Sequence, residues 1–135
     1  MKVTTSRDPS AKARRLGKAL AAFLCVPYVN RGKQNLDEDD VWLIVVGEHG
    51  NPRGVKKRSG DEEELLAFKL AIEPTSMHLR RLVPIVTGER GDAFPIATFF
   101  GLNWSDEQFS DRAIIVASGQ MDFVDDGETK FRMKI

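Results

Sequence analysis

The chain has one cysteine, two histidines and one tyrosine in 135 residues, and its formal charges cancel. Each scarcity excludes something. A lone Cys25 cannot close an internal disulfide, and its apolar neighbours predict a buried thiol. His49 and His78 stand apart, without the spacing that lets imidazoles share a metal. No Gly-x-Ser-x-Gly turn, Walker loop or catalytic cysteine motif occurs beside them. Contiguous carboxylates in Asp37-Glu-Asp-Asp40 point in different directions and repel, so they predict a solvated turn and not a cation site. The opening Met1-Lys-Val-Thr-Thr-Ser-Arg-Asp8 lacks an apolar signal core. The longest uncharged stretch, residues 93–105, is far short of the roughly 20 apolar residues that cross a bilayer. The expectation is a cytoplasmic chain with no membrane contact, cofactor, metal or catalytic centre.

What is present reads as globular: 41% hydrophobic and 30% charged residues, in a length that suits one domain over residues 1–135. The zero net charge conceals a strong asymmetry. Residues 1–36 carry eight Lys or Arg against Asp8 alone, a net of +7, whereas residues 61–135 carry eight basic and fourteen acidic side chains, a net of −6. An anionic partner is drawn to the first third and repelled by much of the rest.

The pattern of elements is α/β, with a mixed sheet and flanking helices. Residues 3–6 are β-prone. Asp8 can cap a helix with Pro9 at its first position, running to about Leu24. Ala13, Leu16, Leu20, Phe23 and Leu24 share one face at 100° per residue; Lys12, Arg14, Arg15 and Lys18 share the opposite arc. Gly17 weakens this helix or lets another backbone approach. The run Val41-Trp-Leu-Ile-Val-Val46 predicts a strand buried on both faces and parallel to the first, joined by a right-handed crossover. Residues 47–54 predict a loop, and the basic cluster Arg53, Lys56, Lys57 and Arg58 a solvated segment neutralised by residues 61–64. Residues 65–72 predict one strand, and residues 82–86 another that Pro84 confines to an edge or bulge. A short helix over residues 96–100 is stopped by Gly101. A strand over 113–118 precedes a hairpin around Asp125-Asp126-Gly127, with Phe131, Met133 and Ile135 inward. Val46-Gly-Glu-His-Gly-Asn-Pro52 echoes Thr87-Gly-Glu-Arg-Gly-Asp92.

Two segments offer an anion seat. Where the first strand gives way to the first helix, free N–H groups and the positive helix end favour phosphate. Thr5 and Ser6 add hydroxyls there and Arg7 a matching fork. An ordinary capped helix explains the same residues equally well. Asn30-Arg31-Gly32-Lys33 brings two cations within reach of one backbone, though a solvated loop would also read this way. Tyr28, Trp42 and Trp104 are expected to pack and not to stack on bases.

These residues resemble the Brix-domain family of ribosome-biogenesis proteins, in its short archaeal single-domain form. The resemblance rests on Val3-Thr-Thr-Ser-Arg-Asp-Pro-Ser10 opening a basic helix, then Asn30-Arg-Gly-Lys33, then Val45-Val-Gly-Glu-His-Gly-Asn-Pro52. It implies two similar halves, about 1–60 and 61–135, each akin to the anticodon-binding domain of certain aminoacyl-tRNA synthetases. It would give the internal echo a meaning. It also implies binding of precursor ribosomal RNA and of other ribosome-assembly proteins, without catalysis. The family usually places a helix after its Asn-Arg-Gly-Lys segment. Here only residues 34–40 separate Lys33 from the buried strand, so the first half is expected to be trimmed there.

The combined expectation is an RNA-binding protein of ribosome biogenesis. Arg7, Arg14, Arg15, Lys18, Arg31 and Lys33 contact phosphates, while Thr5, Ser6 and Asn30 add hydrogen bonds. The two anion seats are expected to line one groove. The alternative is a protein-interaction scaffold with little RNA affinity of its own. Phosphate contacts position without specifying, so the RNA sequence is not legible.

Overall fold

The structure, a computed structural model, describes residues 1–32, 35–75, 78–107 and 110–135. The α/β architecture is as expected, with parallel and antiparallel pairing in each of two sheets. The first sheet has the order β1-β2-β3-β4, from β1 (Lys2–Thr5), β2 (Val41–Glu48), β3 (Asn51–Ser59) and β4 (Glu62–Ala67). β1 and β2 are parallel and joined through α1 (Ala11–Leu24). The second sheet contains β5 (Lys69–Ile72), β6 (Ile85–Gly88), β7 (Trp104–Ser105), β8 (Arg112–Ala117), β9 (Gln120–Asp125) and β10 (Glu128–Lys134), in the order β5-β10-β9-β8-β6-β7. Here β6 runs parallel to β8, and α2 (Arg90–Phe100) follows β6.

One core unites the halves. Leu16, Leu20 and Phe23 of α1 are fully buried, as the helical period requires. Phe23 meets Phe123 and Phe131 of the other sheet edge-on at 5.2 and 5.8 Å. Those two rings stack on each other at 4.2 Å. Phe100 of α2 approaches Phe123 from its own side at 6.5 Å.

Several local expectations need correction. Ser10, not Asp8, caps α1: its hydroxyl accepts from Ala13 N–H at 3.1 Å. Asp8 instead turns the chain with φ +52°. Cys25 is exposed, because it takes the left-handed conformation that ends α1 (φ +60°) and so leaves the buried face. Gly17 admits a ring and not a backbone: a Cβ there would stand 2.9 Å from Tyr28 Cε2.

The loop expected over residues 47–54 shrinks to the turn His49-Gly50, both with positive φ. Asn51 onward forms β3, in which Lys56 and Arg58 pair across the strand with Glu63 of β4. Pro52 is tolerated in this interior strand because the ladder is offset beside its partner Gly47. Residues 65–72 divide between the two sheets at the buried Phe68. Pro84 precedes β6 and does not make it an edge, since β6 lies between β8 and β7. Ile135 falls beyond β10 and is 48% exposed. The helix expected at 96–100 begins earlier, at Arg90, and ends at Gly101 as expected.

The halves share one plan. β1-α1-β2-β3-β4 is matched by β6-α2-β8-β9-β10. Cys25 and Gly101 cap their helices in the same left-handed turn, each donating to two carbonyls of the last turn. Val26 N–H then donates to Ala21 O, and Leu102 N–H to Ala97 O. The chain next returns beside the first strand: Val3 N–H donates to Pro27 O, and Val86 N–H to Asn103 O. Val3 bridges Tyr28 in parallel, as Val86 pairs with Trp104. The sequence echo does not mark this repeat. Its first copy is the β2–β3 hairpin, whereas its second leads from β6 into α2, where the counterpart in the first half is residues 4–10.

Candidate nucleic-acid interface

The junction after β1 is held open by its own bonds. Ser6 N–H continues the parallel ladder by donating to Val45 O at 3.0 Å. The chain then turns at Asp8, and Ser10 occupies the cap, leaving the first N–H groups of α1 at the mouth. A cavity of about 340 Å³ lies there, lined by Ser6, Arg7, Asp8, Ser10 and, from the β2–β3 turn, Gly47 and His49. The last two were not among the expected site residues. The turn signal around them was visible, but nothing in the sequence said which strand end it would face.

The helical cations lie as the periodicity requires. Lys12, Arg14, Arg15 and Lys18 are all exposed. Lys12 reaches toward Glu73 at 3.4 Å, so part of its charge is answered within the chain. Lys18 Nζ sits 5.9 Å from the centre of the Tyr28 ring. Thr5 needs a correction: it is 1% exposed within β1, so its side chain packs inward and does not face a ligand. Burial pushes the Tyr28 phenol up, against the lowering effects of Thr5 and Arg14.

The second segment does come beside the first. Val29 N–H donates to Val3 O at 2.9 Å, and Thr4 Oγ1 donates to Val29 O at 2.7 Å. Arg7 Nη2 donates to Asn35 Oδ1 at 3.1 Å, across the same edge. Asn30 is exposed and Arg31 half-buried. Burial pushes the Arg31 guanidinium down from its ordinary value, and the positive fields of Arg7 and Arg58 add to that effect. Its buried Nε has no hydrogen-bond partner among the described residues. Lys33 lies outside the described residues.

The expected single groove is divided. Arg31 lines a second cavity of about 430 Å³ with Asn35, Asp37, Asp40, Arg58 and Glu63, whereas residues 6–10 line the first. Among the described residues between Val29 and β2 there is no helix, and Trp42 Nε1 donates to Asp37 O at 2.7 Å. Among the described residues, no three His, Cys, Asp or Glu side chains are placed to share a metal.

Fold and site define a class: a two-sheet α/β domain of repeated plan, whose first strand-to-helix junction is cationic and whose second half is acidic. No family model matches the chain. Over its full length it is 30% identical to a probable Brix domain-containing ribosomal biogenesis protein of Methanosarcina mazei, covering 96% of that relative. A protein of the same description from Methanococcoides burtonii is 27% identical over the full chain and 94% of its own length. The crystal structure of Mil, an archaeal Imp4-like protein, matches with a TM-score of 0.82 at 24% identity, over 100% of this chain and 96% of that one. A probable ribosomal biogenesis protein from Aeropyrum pernix K1 gives 0.69 at 16% identity, over 98% and 92%. Those two likenesses are of fold. The chain belongs to the family of Brix domain-containing ribosomal biogenesis proteins.

Proposed function

We propose that residues 1–135 act as one Brix domain that binds precursor ribosomal RNA during ribosome assembly and catalyses no step on it. Arg7, Arg14, Arg15, Lys18 and Arg31 contact phosphates, and Ser6 and Asn30 donate hydrogen bonds. Lys33, two residues after Arg31 in the sequence, adds a further cation. The observation that carries the reading is the exposed basic face of α1 beside the strand-to-helix junction, where Arg7 Nη2 reaches Asn35 of the following segment at 3.1 Å. Arg31 is half-buried and lies in the positive fields of Arg7 and Arg58, which a phosphate would offset, while Asp37, Asp40 and Glu63 line the far side of its cavity. Relatives described as ribosomal biogenesis proteins supply the setting. No helix among the described residues is long and apolar enough to cross a membrane, which suits a cytoplasmic site of action.

Titrating the purified chain with RNA across a series of salt concentrations tests this. Neutralising about five phosphates gives a slope of log K against log salt of roughly −3.5 on single strands, and about −4.5 on the duplex scale taken from DNA. A flat response, or no binding at low salt, sinks the reading and leaves a protein-interaction scaffold.

A further inference from the structure

The two halves carry aromatic rings at equivalent points, Tyr28 beside β1 and Trp104 beside β6. Counting back from the matching caps Cys25 and Gly101, Arg14 corresponds to Arg90, and Lys18 to Phe94. The first half thus presents two cations near its ring. The second presents one cation and a second aromatic.

The geometry of that second cluster is specific. Trp104 Nε1 donates to Gly88 O at 3.1 Å, which fixes the half-buried indole. Phe94 stands edge-on to it, with centroids 6.5 Å apart and planes at 78°. The Arg90 guanidinium lies 5.2 Å from the Phe94 centroid and 5.8 Å from that of Trp104. Phe94 is 45% exposed, although Phe99 and Phe100 of the same helix are buried. The core therefore does not need Phe94, and the ring spends its apolar face on solvent.

We propose that Arg90, Phe94 and Trp104 form a stacking site for an unpaired RNA base, in the half of the chain away from the phosphate-binding junction. The inference rests on the RNA-binding reading above and extends it. Arg90 lies over both rings, so a flat heterocycle stacks on the guanidinium plane and on the part of Phe94 that remains open to solvent. The surrounding charge selects base over backbone. Glu89, Asp92, Asp106 and Glu107 are all exposed near this cluster, and they repel phosphate. A base carries no charge, and its face is free only where the strand is unpaired. Trp104, expected from sequence to serve packing alone, acquires this second role from its neighbours.

The test uses the full chain with Phe94→Ala and, separately, Arg90→Ala, against a single-stranded oligoribonucleotide and a duplex of equal length. Both substitutions are at the surface, and unchanged melting curves establish that the fold survives. The expected result is a roughly tenfold loss of affinity for the single strand and no loss for the duplex. Indole fluorescence of the unsubstituted chain should be quenched by the single strand and not by the duplex, because Trp42 is buried and only Trp104 is accessible. Unchanged affinity of both variants, with charge reversal at Arg14 and Lys18 still abolishing binding, overturns the stacking site alone. Absence of binding by the unsubstituted chain overturns the RNA reading and the stacking site together.

Discussion

Arg112 and Asp125 face each other across β8 and β9, with Arg112 Nε donating to Asp125 Oδ1 at 3.1 Å, and the guanidinium is fully buried. The same group donates to Leu82 O and Arg80 O at 2.7 Å, and to Phe23 O at 3.4 Å. One side chain thereby fastens the end of α1 and the segment before β6 to the second sheet. An unpaired buried charge is far costlier than a missing pair. Asp125→Ala should therefore cost about 3–5 kcal/mol, read as a lowered urea midpoint. Replacing both residues by leucine should not recover that loss, because the carbonyls of Phe23, Arg80 and Leu82 then lose their donor. A single variant within about 0.5 kcal/mol of the parent, the range of an ordinary surface change, would show that the guanidinium is satisfied without its carboxylate.

What was legible in the sequence was what burial writes locally. Residues 41–46 could only be an interior strand, and the α1 apolar face and the Asp126-Gly127 turn follow from periodicity and positive φ. β3 was hidden because its charges and those of residues 61–64, close in sequence, read equally well as a solvated loop, whereas the fold sets Lys56 and Arg58 across from Glu63 as pairs between β3 and β4. The repeat was hidden by insertion. α1 has 14 residues to the 11 of α2, and five residues rather than one separate strand from helix, so equivalent positions drift out of step. Hydrogen bonds at Cys25 and Gly101 restore the register. The cations of the site were legible as a charge imbalance, whereas the burial of Thr5 and the contribution of His49 depend on which strand ends meet.

Gly17 should resist the usual gain from a helical alanine. Glycine to alanine in a helix interior ordinarily stabilises by about 1 kcal/mol. Here the new Cβ would stand 2.9 Å from Tyr28 Cε2, so the ring must shift. Thermal unfolding of Gly17→Ala should show no gain in Tm, and Gly17→Val should lower it. A rise of several degrees in the alanine variant would mean that the ring is loosely held.

Arg14→Glu combined with Lys18→Glu should abolish RNA binding and leave the fold intact. Both side chains are exposed on α1, and neither is in an ion pair among the described residues, so reversing their charge disturbs little packing. Circular dichroism and a melting curve report the fold, and a binding titration at low salt reports the function. Unfolding of the double variant would mean that the Lys18–Tyr28 contact and the Arg14–Pro9 hydrogen bond carry the fold. Normal binding would move the RNA surface elsewhere.

Arg7 and Arg31 should act as one unit. They lie more than twenty residues apart in sequence, yet Val29 pairs with Val3, Thr4 holds Val29 O, and Arg7 reaches Asn35 just beyond the Arg31 loop. Burial lowers the Arg31 pKa, and the positive field of Arg7 adds to that effect. They open, however, into different cavities, so proximity alone does not decide whether one phosphate bridges them. A double-mutant cycle on RNA affinity, from Arg7→Ala, Arg31→Ala and the pair, separates the cases. Independent sites add within about 0.3–0.5 kcal/mol. A shared phosphate predicts a double loss smaller than the sum by more than that margin, because removing either guanidinium already weakens the common contact. Strict additivity would leave two separate phosphate contacts. A double loss larger than the sum would mean that each arginine can substitute for the other at a single seat.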